Sequence, residues 1–172
     1  MSTLEISQAV PVTAAEGPHR RFALWLQGCS LRCPGCCNPE LFERGHGRTL
    51  GRDTLVGMVA DAQREHAIEG ITVLGGEPLD QTDALADLLA PIAARGLGVI
   101  VFTGYLFEEA ADLRGFDRLW PSIDTLVDGR FDARRLETLR RFVGSTNQRL
   151  VHRTDRYRDP ALWQGERVAE LV

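Results

Sequence analysis

All four cysteines of the chain fall within nine positions, in the stretch Gly28-Cys29-Ser30-Leu31-Arg32-Cys33-Pro34-Gly35-Cys36-Cys37-Asn38-Pro39. No other feature limits the fold as tightly, because so many thiols on one loop require a scaffold that presents the loop where something binds it. Cys29, Cys33 and Cys36 stand in a C-x3-C-x2-C spacing, which lets one loop wrap a corner of an inorganic cluster held by thiolates. Ferredoxin spacings expect a fourth ligand and zinc spacings a second Cys or His pair further along, and neither is plainly present. A cubane held by three cysteines leaves one iron free for a substrate. A zinc site using all four thiols is the alternative, and four sulfurs crowded on one loop suit tetrahedral geometry poorly. No cysteine elsewhere cross-links distant segments, so a reduced, metal-bound loop is expected rather than a secreted disulfide framework.

At 172 residues the chain is long enough for one domain with a sizeable core and short for two. A single domain over 1–172 is expected, with 1–18 as an N-terminal arm and 153–172 as a C-terminal tail. The formal charge of −4 argues against nucleic-acid binding through bulk electrostatics. Arginine supplies all the lysine-type charge and no lysine occurs, which removes Schiff-base chemistry. Residues 1–18 lack the charged start and apolar run of a signal peptide. No later stretch approaches the roughly 18 apolar residues of a membrane span. A cytoplasmic protein without a membrane role is expected.

Phe22 to Leu26 is a short apolar run that predicts a strand buried on both faces, with the Cys loop leaving its end. Asp53 is placed as the cap of a helix whose Leu55, Val59 and Ala62 recur at helical spacing. Ile71 to Leu74 predicts a second buried strand ending in Gly75-Gly76-Glu77-Pro78. Leu85, Leu88, Leu89 and Ile92 give one apolar helical stripe, with Pro91 bending its last turn. Leu97 to Phe102 predicts a third strand delivered to Thr103-Gly104-Tyr105, then a short helix through Leu106, Ala110 and Leu113. Ile123 to Val127 predicts a fourth strand running into Asp128-Gly129-Arg130. Asp132 to Phe142 reads equally as a helix or a solvated loop, Leu150-Val151 as a last strand, and Asp155 to Val172 as a weak closing helix. This rhythm implies an α/β fold with a mainly parallel sheet, either an open, incomplete barrel or a doubly wound sheet. In both, sites form beyond the carboxyl ends of the strands, where all four punctuating motifs fall.

Paired with Gly75-Gly76-Glu77-Pro78, the cysteine spacing resembles the radical S-adenosylmethionine (radical SAM) superfamily. Within it the chain resembles the small activating enzymes of anaerobic (class III) ribonucleotide reductase. The likeness runs through Glu16-Gly17-Pro18, Cys33-Pro34-Gly35-Cys36 with Asn38-Pro39, Gly75 to Leu79, Thr103-Gly104-Tyr105, Leu126 to Phe131 and Gly144 to Arg149. It implies a small, open radical SAM-type βα barrel. One departure stands out: these activases usually carry an aromatic residue directly after the third cysteine, and this chain has Cys37.

The resemblance implies a [4Fe-4S] cluster on Cys29, Cys33 and Cys36, with SAM on the open iron. Asn38, Gly75, Gly76, Glu77, Pro78, Thr103, Tyr105, Asp128 and Asn147 become its candidate binding residues. The two glycines would let backbone approach the ligand, and Glu77 would accept from the SAM ammonium. Reductive cleavage of SAM to a 5'-deoxyadenosyl radical would serve to make a glycyl radical on anaerobic ribonucleotide reductase or another glycyl-radical protein. The electron would come from a flavodoxin- or ferredoxin-type donor. Two alternatives stand beside it: a radical SAM enzyme acting on a small molecule or peptide, with Cys37 as hydrogen donor or substrate contact, and a non-catalytic iron-sulfur or zinc module. His19, His46, His66 and His152 show no metal-ligand spacing.

Overall fold

The computed structural model describes residues 2–165. In chain order the strands and helices are β1 (Thr3–Thr13), β2 (Arg21–Leu26), β3 (Arg48–Gly51), α1 (Arg52–His66), β4 (Gly70–Gly75), α2 (Thr82–Ala94), β5 (Gly98–Phe102), α3 (Phe107–Ala111), α4 (Phe116–Leu119), β6 (Thr125–Asp128) and β7 (Arg149–His152). They build one seven-stranded sheet in the order β3-β1-β2-β4-β5-β6-β7. The central block β2-β4-β5-β6 is parallel, and β1, β3 and β7 add antiparallel flanks. The sheet is open rather than closed.

The parallel strands are buried on both faces, as their near-continuous apolar runs require. Phe22, Leu24, Leu26, Ile71, Val73, Val99 and Val101 face α1 and α2, which contribute Leu55, Val59, Leu85, Leu88, Leu89 and Ile92. The alternate residues Ile100 and Val127 pack on the other face against Val143, Tyr157 and Trp163, which lie outside the strands and α-helices. One face is thus covered by helices and the other by loop segments, so the two halves of each strand's side-chain alternation meet different partners.

Arg21, the first residue of β2, is fully buried at the end of the sheet opposite the Cys loop. Its guanidinium donates to Thr72 Oγ1 (2.7 Å), Tyr157 Oη (2.8 Å), Ile71 O (2.7 Å) and Gly98 O (3.1 Å), and pairs with Glu69 at 3.0 Å. A charge so placed is tolerable only because every face of it is hydrogen-bonded.

Several expectations are corrected. Within the expected N-terminal arm, whose strand character is weak in sequence, Thr3–Thr13 forms β1, a full strand of the sheet between β3 and β2, and β3 had no forecast. Asp53 is not the cap of α1. Gly51 holds that position with extended backbone, and Asp53 lies in the first turn, where its charge still favours the helix dipole. For residues 132–142, read equally as helix or solvated loop, the structure gives the loop. Phe142 takes a left-handed φ of 68° there, and the Glu137 carboxylate accepts from the amides of Leu139 (2.9 Å) and Arg140 (3.2 Å). The last strand exists as β7 but runs antiparallel to β6. Of the closing helix, the described part is a single 3-10 turn at Pro160–Trp163, and the remainder lies outside the described residues.

Candidate cluster and cofactor site

The Cys loop leaves the carboxyl end of β2 and folds back on itself. Gly28 N donates to Leu41 O (2.9 Å) and Cys29 N to Phe42 O (3.0 Å), while Gln27 Nε2 holds Glu40 O and Glu43 O at 3.2 and 2.7 Å. The end of β4 then clamps the loop's base: Gly76 N donates to Leu26 O and Glu77 N to Gly28 O, both at 2.8 Å. A Cβ at Gly75, whose φ is 118°, would strike the Leu26 backbone. One at Gly76 would strike Gly28 O and approach Leu41 O to 3.1 Å. The absence of a side chain at these glycines thus lets the end of β4 pack closely against the base of the Cys loop.

Ser30 fastens the loop a second time. Its amide and hydroxyl both donate to the Asp80 carboxylate (2.8 and 2.7 Å), and its hydroxyl lies 3.3 Å from Tyr105 Oη. Leu31 covers Gly104, where an added Cβ would meet Leu31 Cδ1 at 2.5 Å. The loop tip reaches the segment after β6, since a Cβ at Gly35 would come within 2.8 Å of Ala133 Cβ. The three strand ends β2, β4 and β5 and the residues after β6 thus meet around the thiols.

Cys29, Cys33 and Cys36 are half-buried and Cys37 is exposed. Burial pushes the first three thiols up from the usual cysteine range, while backbone amides pull the other way: those of Arg32 and Leu31 at Cys29, of Phe131 at Cys33 and of Asn38 at Cys36. Asn38 N lies 3.4 Å from Cys36 Sγ. Amides aimed at sulfur favour the thiolate that iron requires. Among the described residues no three His, Cys, Asp or Glu side chains are gathered as a site for one metal ion. The donor set fits a thiolate-held cluster: three half-buried sulfurs on one loop with amide donors around them. A recess of about 390 Å³ opens beside Cys29, lined by Ser30, Arg32, Phe42, Glu43, Arg44 and Asp80. A larger groove, about 540 Å³, lies among α1, α2 and α4 and is lined by no cysteine.

A family described as "4Fe-4S single cluster domain" matches residues 15–151. The anaerobic ribonucleoside-triphosphate reductase-activating protein of Salmonella typhimurium is 31% identical, with 84% of this chain and 96% of that one covered. The chain belongs to the radical SAM activating enzymes. The protein of the same name from Enterobacteria phage T4 is 28% identical, over 84% of this chain and 92% of its own. In fold, the enzyme resembles the crystal structure of QueE from Escherichia coli, with a TM-score of 0.54 at 12% identity, covering 77% of this chain and 72% of that one. The activating enzyme accordingly takes an iron-sulfur cluster and S-adenosylmethionine, which removes the zinc alternative.

The enzyme brings its forecast site residues to one end of the sheet but employs several of them inside the fold. Glu77 is 1% exposed. Its Oε1 accepts from Leu79 N (2.8 Å) and Thr103 Oγ1 (2.7 Å), and its Oε2 from Gly104 N (2.8 Å). Burial raises its carboxyl to about 7 against the pull of these bonds. Three of about four lone-pair positions are occupied, so its first role is to tie the end of β4 to the end of β5. Pro78 is buried at the start of a 3-10 turn, Pro78–Gln81, which Glu77 caps. Thr103 is buried under Glu77, and Tyr105 leans on Ser30.

Asp128 is fully buried and is engaged by the fold. Arg149 grips both its oxygens (Nε–Oδ1 2.9 Å, Nη2–Oδ2 2.5 Å), and Phe107 N donates to Oδ2 at 2.7 Å. This bidentate pair joins β6 to β7, and the Phe107 bond ties it to the start of α3. Asn147 differs. Its Nδ2 donates to Arg130 O (2.8 Å), which fixes the amide's orientation, and its buried Oδ1 has no partner. Such an orphan acceptor suits a ligand donor. Sequence reasoning missed Ser30, Asp80 and Gln27. Their only signal was adjacency, Ser30 beside Cys29 and Asp80 three positions after Glu77.

Proposed function

We propose that residues 1–172 act as one radical SAM domain that generates a glycyl radical on anaerobic ribonucleoside-triphosphate reductase. The observation that carries this reading is the clamping of a C-x3-C-x2-C loop by the Gly75-Gly76-Glu77-Pro78 turn, in a chain whose relatives along most of their length are named activators of that reductase. Cys29, Cys33 and Cys36 hold the cluster, and Cys37, turned to solvent, does not. When bound, the cluster and SAM supply a one-electron reduction of the sulfonium, yielding methionine and a 5'-deoxyadenosyl radical.

The chain's own residues position and shield. Glu77 fixes the ends of β4 and β5 as one wall, and Asp80 with Ser30 holds the loop against it. Leu31 over Gly104 keeps water from the floor beside Cys29. Asn38, Gly76, Tyr105 and Asn147 contact SAM in this reading, with the unpartnered Asn147 Oδ1 accepting from a ligand N–H or O–H. A flavodoxin- or ferredoxin-type protein serves as donor. Among the described residues no helix is long and apolar enough to cross a membrane.

Anaerobically reconstituted protein, incubated with SAM, a reductant and the reductase, is expected to give the EPR doublet of a glycyl radical on the reductase. Stoichiometric 5'-deoxyadenosine without a protein radical overturns the activase reading and favours a small-molecule or peptide substrate.

A further inference from the structure

The large apolar side chains left in water among the described residues are Leu106, Leu136 and Leu139, at 38, 59 and 70% exposed. Leu106 follows the carboxyl end of β5, and Leu136 and Leu139 lie on the segment that leaves the carboxyl end of β6, the end of the sheet from which the Cys loop also departs β2. Leu106 Cδ2 stands 3.7 Å from where a Cβ would sit on Gly129, just after β6. Leu136 and Leu139 belong to the excursion between β6 and β7, the same excursion that Gly35 of the Cys loop touches at Ala133.

The excursion is irregular yet well fastened. Glu137 N donates to Gly144 O (3.1 Å) and Thr146 N to Arg135 O (2.7 Å), while Arg141 N and Gly165 N pair with Trp163 O and Leu139 O at 2.6 and 2.9 Å. Its exposed leucines are therefore presented by a held backbone, at little ordering penalty on binding.

Charge at this place opposes that of the whole molecule. Residues 130–149 hold six arginines against Asp132 and Glu137, in a chain of net charge −4. Arg134 pairs with Asp132, Arg140 with Glu137, Arg130 with Glu109, and Arg149 with Asp128 and Glu108. Arg135 and Arg141, which flank the two leucines, form no ion pair among the described residues. A small-molecule substrate has no use for a basic, apolar ledge outside the pocket. A polypeptide does, because its backbone must be held while one residue enters the site.

We propose that Leu136 and Leu139, flanked by Arg135 and Arg141, form the docking ledge for a segment of the partner polypeptide that carries apolar side chains and carboxylates. The ledge rests on the activase reading and adds to it where, and by what chemistry, the reductase is gripped. Apolar contact supplies the affinity, and the two guanidiniums steer encounter and register.

The test compares full-length, cluster-loaded wild-type protein with Leu136→Ser/Leu139→Ser and Arg135→Glu/Arg141→Glu, measuring reductase binding by calorimetry, glycyl radical by EPR, and partner-free SAM cleavage. Each double variant is expected to weaken binding at least about tenfold and to lower radical yield at limiting protein. Partner-free SAM cleavage should stay at the wild-type rate, and the charge variant should lose much of the salt dependence of association. Unchanged affinity in both variants, with normal wild-type radical yield, overturns the ledge and leaves the activase reading standing. A wild-type protein that cleaves SAM yet neither binds nor radicalises the reductase overturns both. Conversion of a wild-type dimer to monomer by the leucine substitutions assigns the ledge to a second copy of this chain and overturns the proposal.

Discussion

Thr103 Oγ1 donates a 2.7 Å hydrogen bond to Glu77 Oε1, joining the residue that follows β5 to the turn that follows β4. Both side chains are buried, and the bond makes one rigid wall of two strand ends that are far apart in sequence. The Glu77 carboxylate is the keystone of that wall, and its titration is tied to folding.

Burial lifts the Glu77 carboxyl from the ordinary 4.5 to about 7. A carboxyl raised in the folded state binds its proton more tightly there than in the unfolded chain. Its contribution to stability is complete below about 4.5 and is lost as pH rises through about 7. Calorimetry of wild type and Glu77→Gln between about pH 5 and 8 isolates this term. The wild type is expected to lose stability relative to the variant as pH rises, by an amount on the order of a few kcal/mol. Parallel curves would show that Glu77 is ionised throughout.

Gly76→Ala places a methyl group on Gly28 O and close to Leu41 O. Neither contact is a flexible side-chain end, so the base of the Cys loop must move. A loss of about 1–3 kcal/mol is expected, together with reduced iron incorporation. Urea denaturation and iron analysis check the two effects, and a variant as stable and iron-replete as wild type would contradict the close approach.

Asp128→Asn is expected to act on stability before it acts on SAM. It weakens a bidentate pair whose carboxylate is fully buried while Arg149 is 45% exposed. Solvent at the arginine reduces the effect below that of a fully buried pair, to about 2–3 kcal/mol. Arg149→Ala should lower stability by a similar amount, and the double variant by much less than the sum. SAM affinity measured well below the melting temperature should be unchanged. A selective fall in SAM affinity at full stability would make Asp128 a ligand contact.

Serine at Cys29, Cys33 or Cys36 is expected to abolish the cluster's visible absorbance and its iron content, whereas Cys37→Ser retains both. The half-burial of the first three thiols and the exposure of the fourth set this pattern. Iron loss in Cys37→Ser comparable to that of Cys36→Ser would make Cys37 a ligand.

Local signals were legible where one segment decides its own structure. The runs Phe22 to Leu26, Ile71 to Leu74 and Leu97 to Phe102 gave buried strands because every residue in them must leave water. The helix of Leu85, Leu88, Leu89 and Ile92 followed from one apolar stripe. β1 was harder to see. Pro11 interrupts its pattern but sits beyond Ile6, where pairing with β3 ends, so β2 alone bonds that stretch. The spacing of Leu136 and Leu139 left helix and solvated loop equally open, and both leucines stand in water, at a surface instead of in a core.

By itself the sequence determined the thiol loop, the alternation that makes a parallel sheet, and the placement of every motif at a strand's carboxyl end. Those follow from spacing and from the burial of short apolar runs. Only the tertiary structure decided which partners the motif residues meet inside the fold. Gly75 and Gly76 are small because Leu26 and Gly28 lie against them, Asp128 is taken by Arg149, and Asn147 Oδ1 is left without a partner. A carboxylate or amide carries the same chemistry in any sequence, and whether it serves the fold or the ligand depends on which donors chain crossing brings within about 3 Å of it.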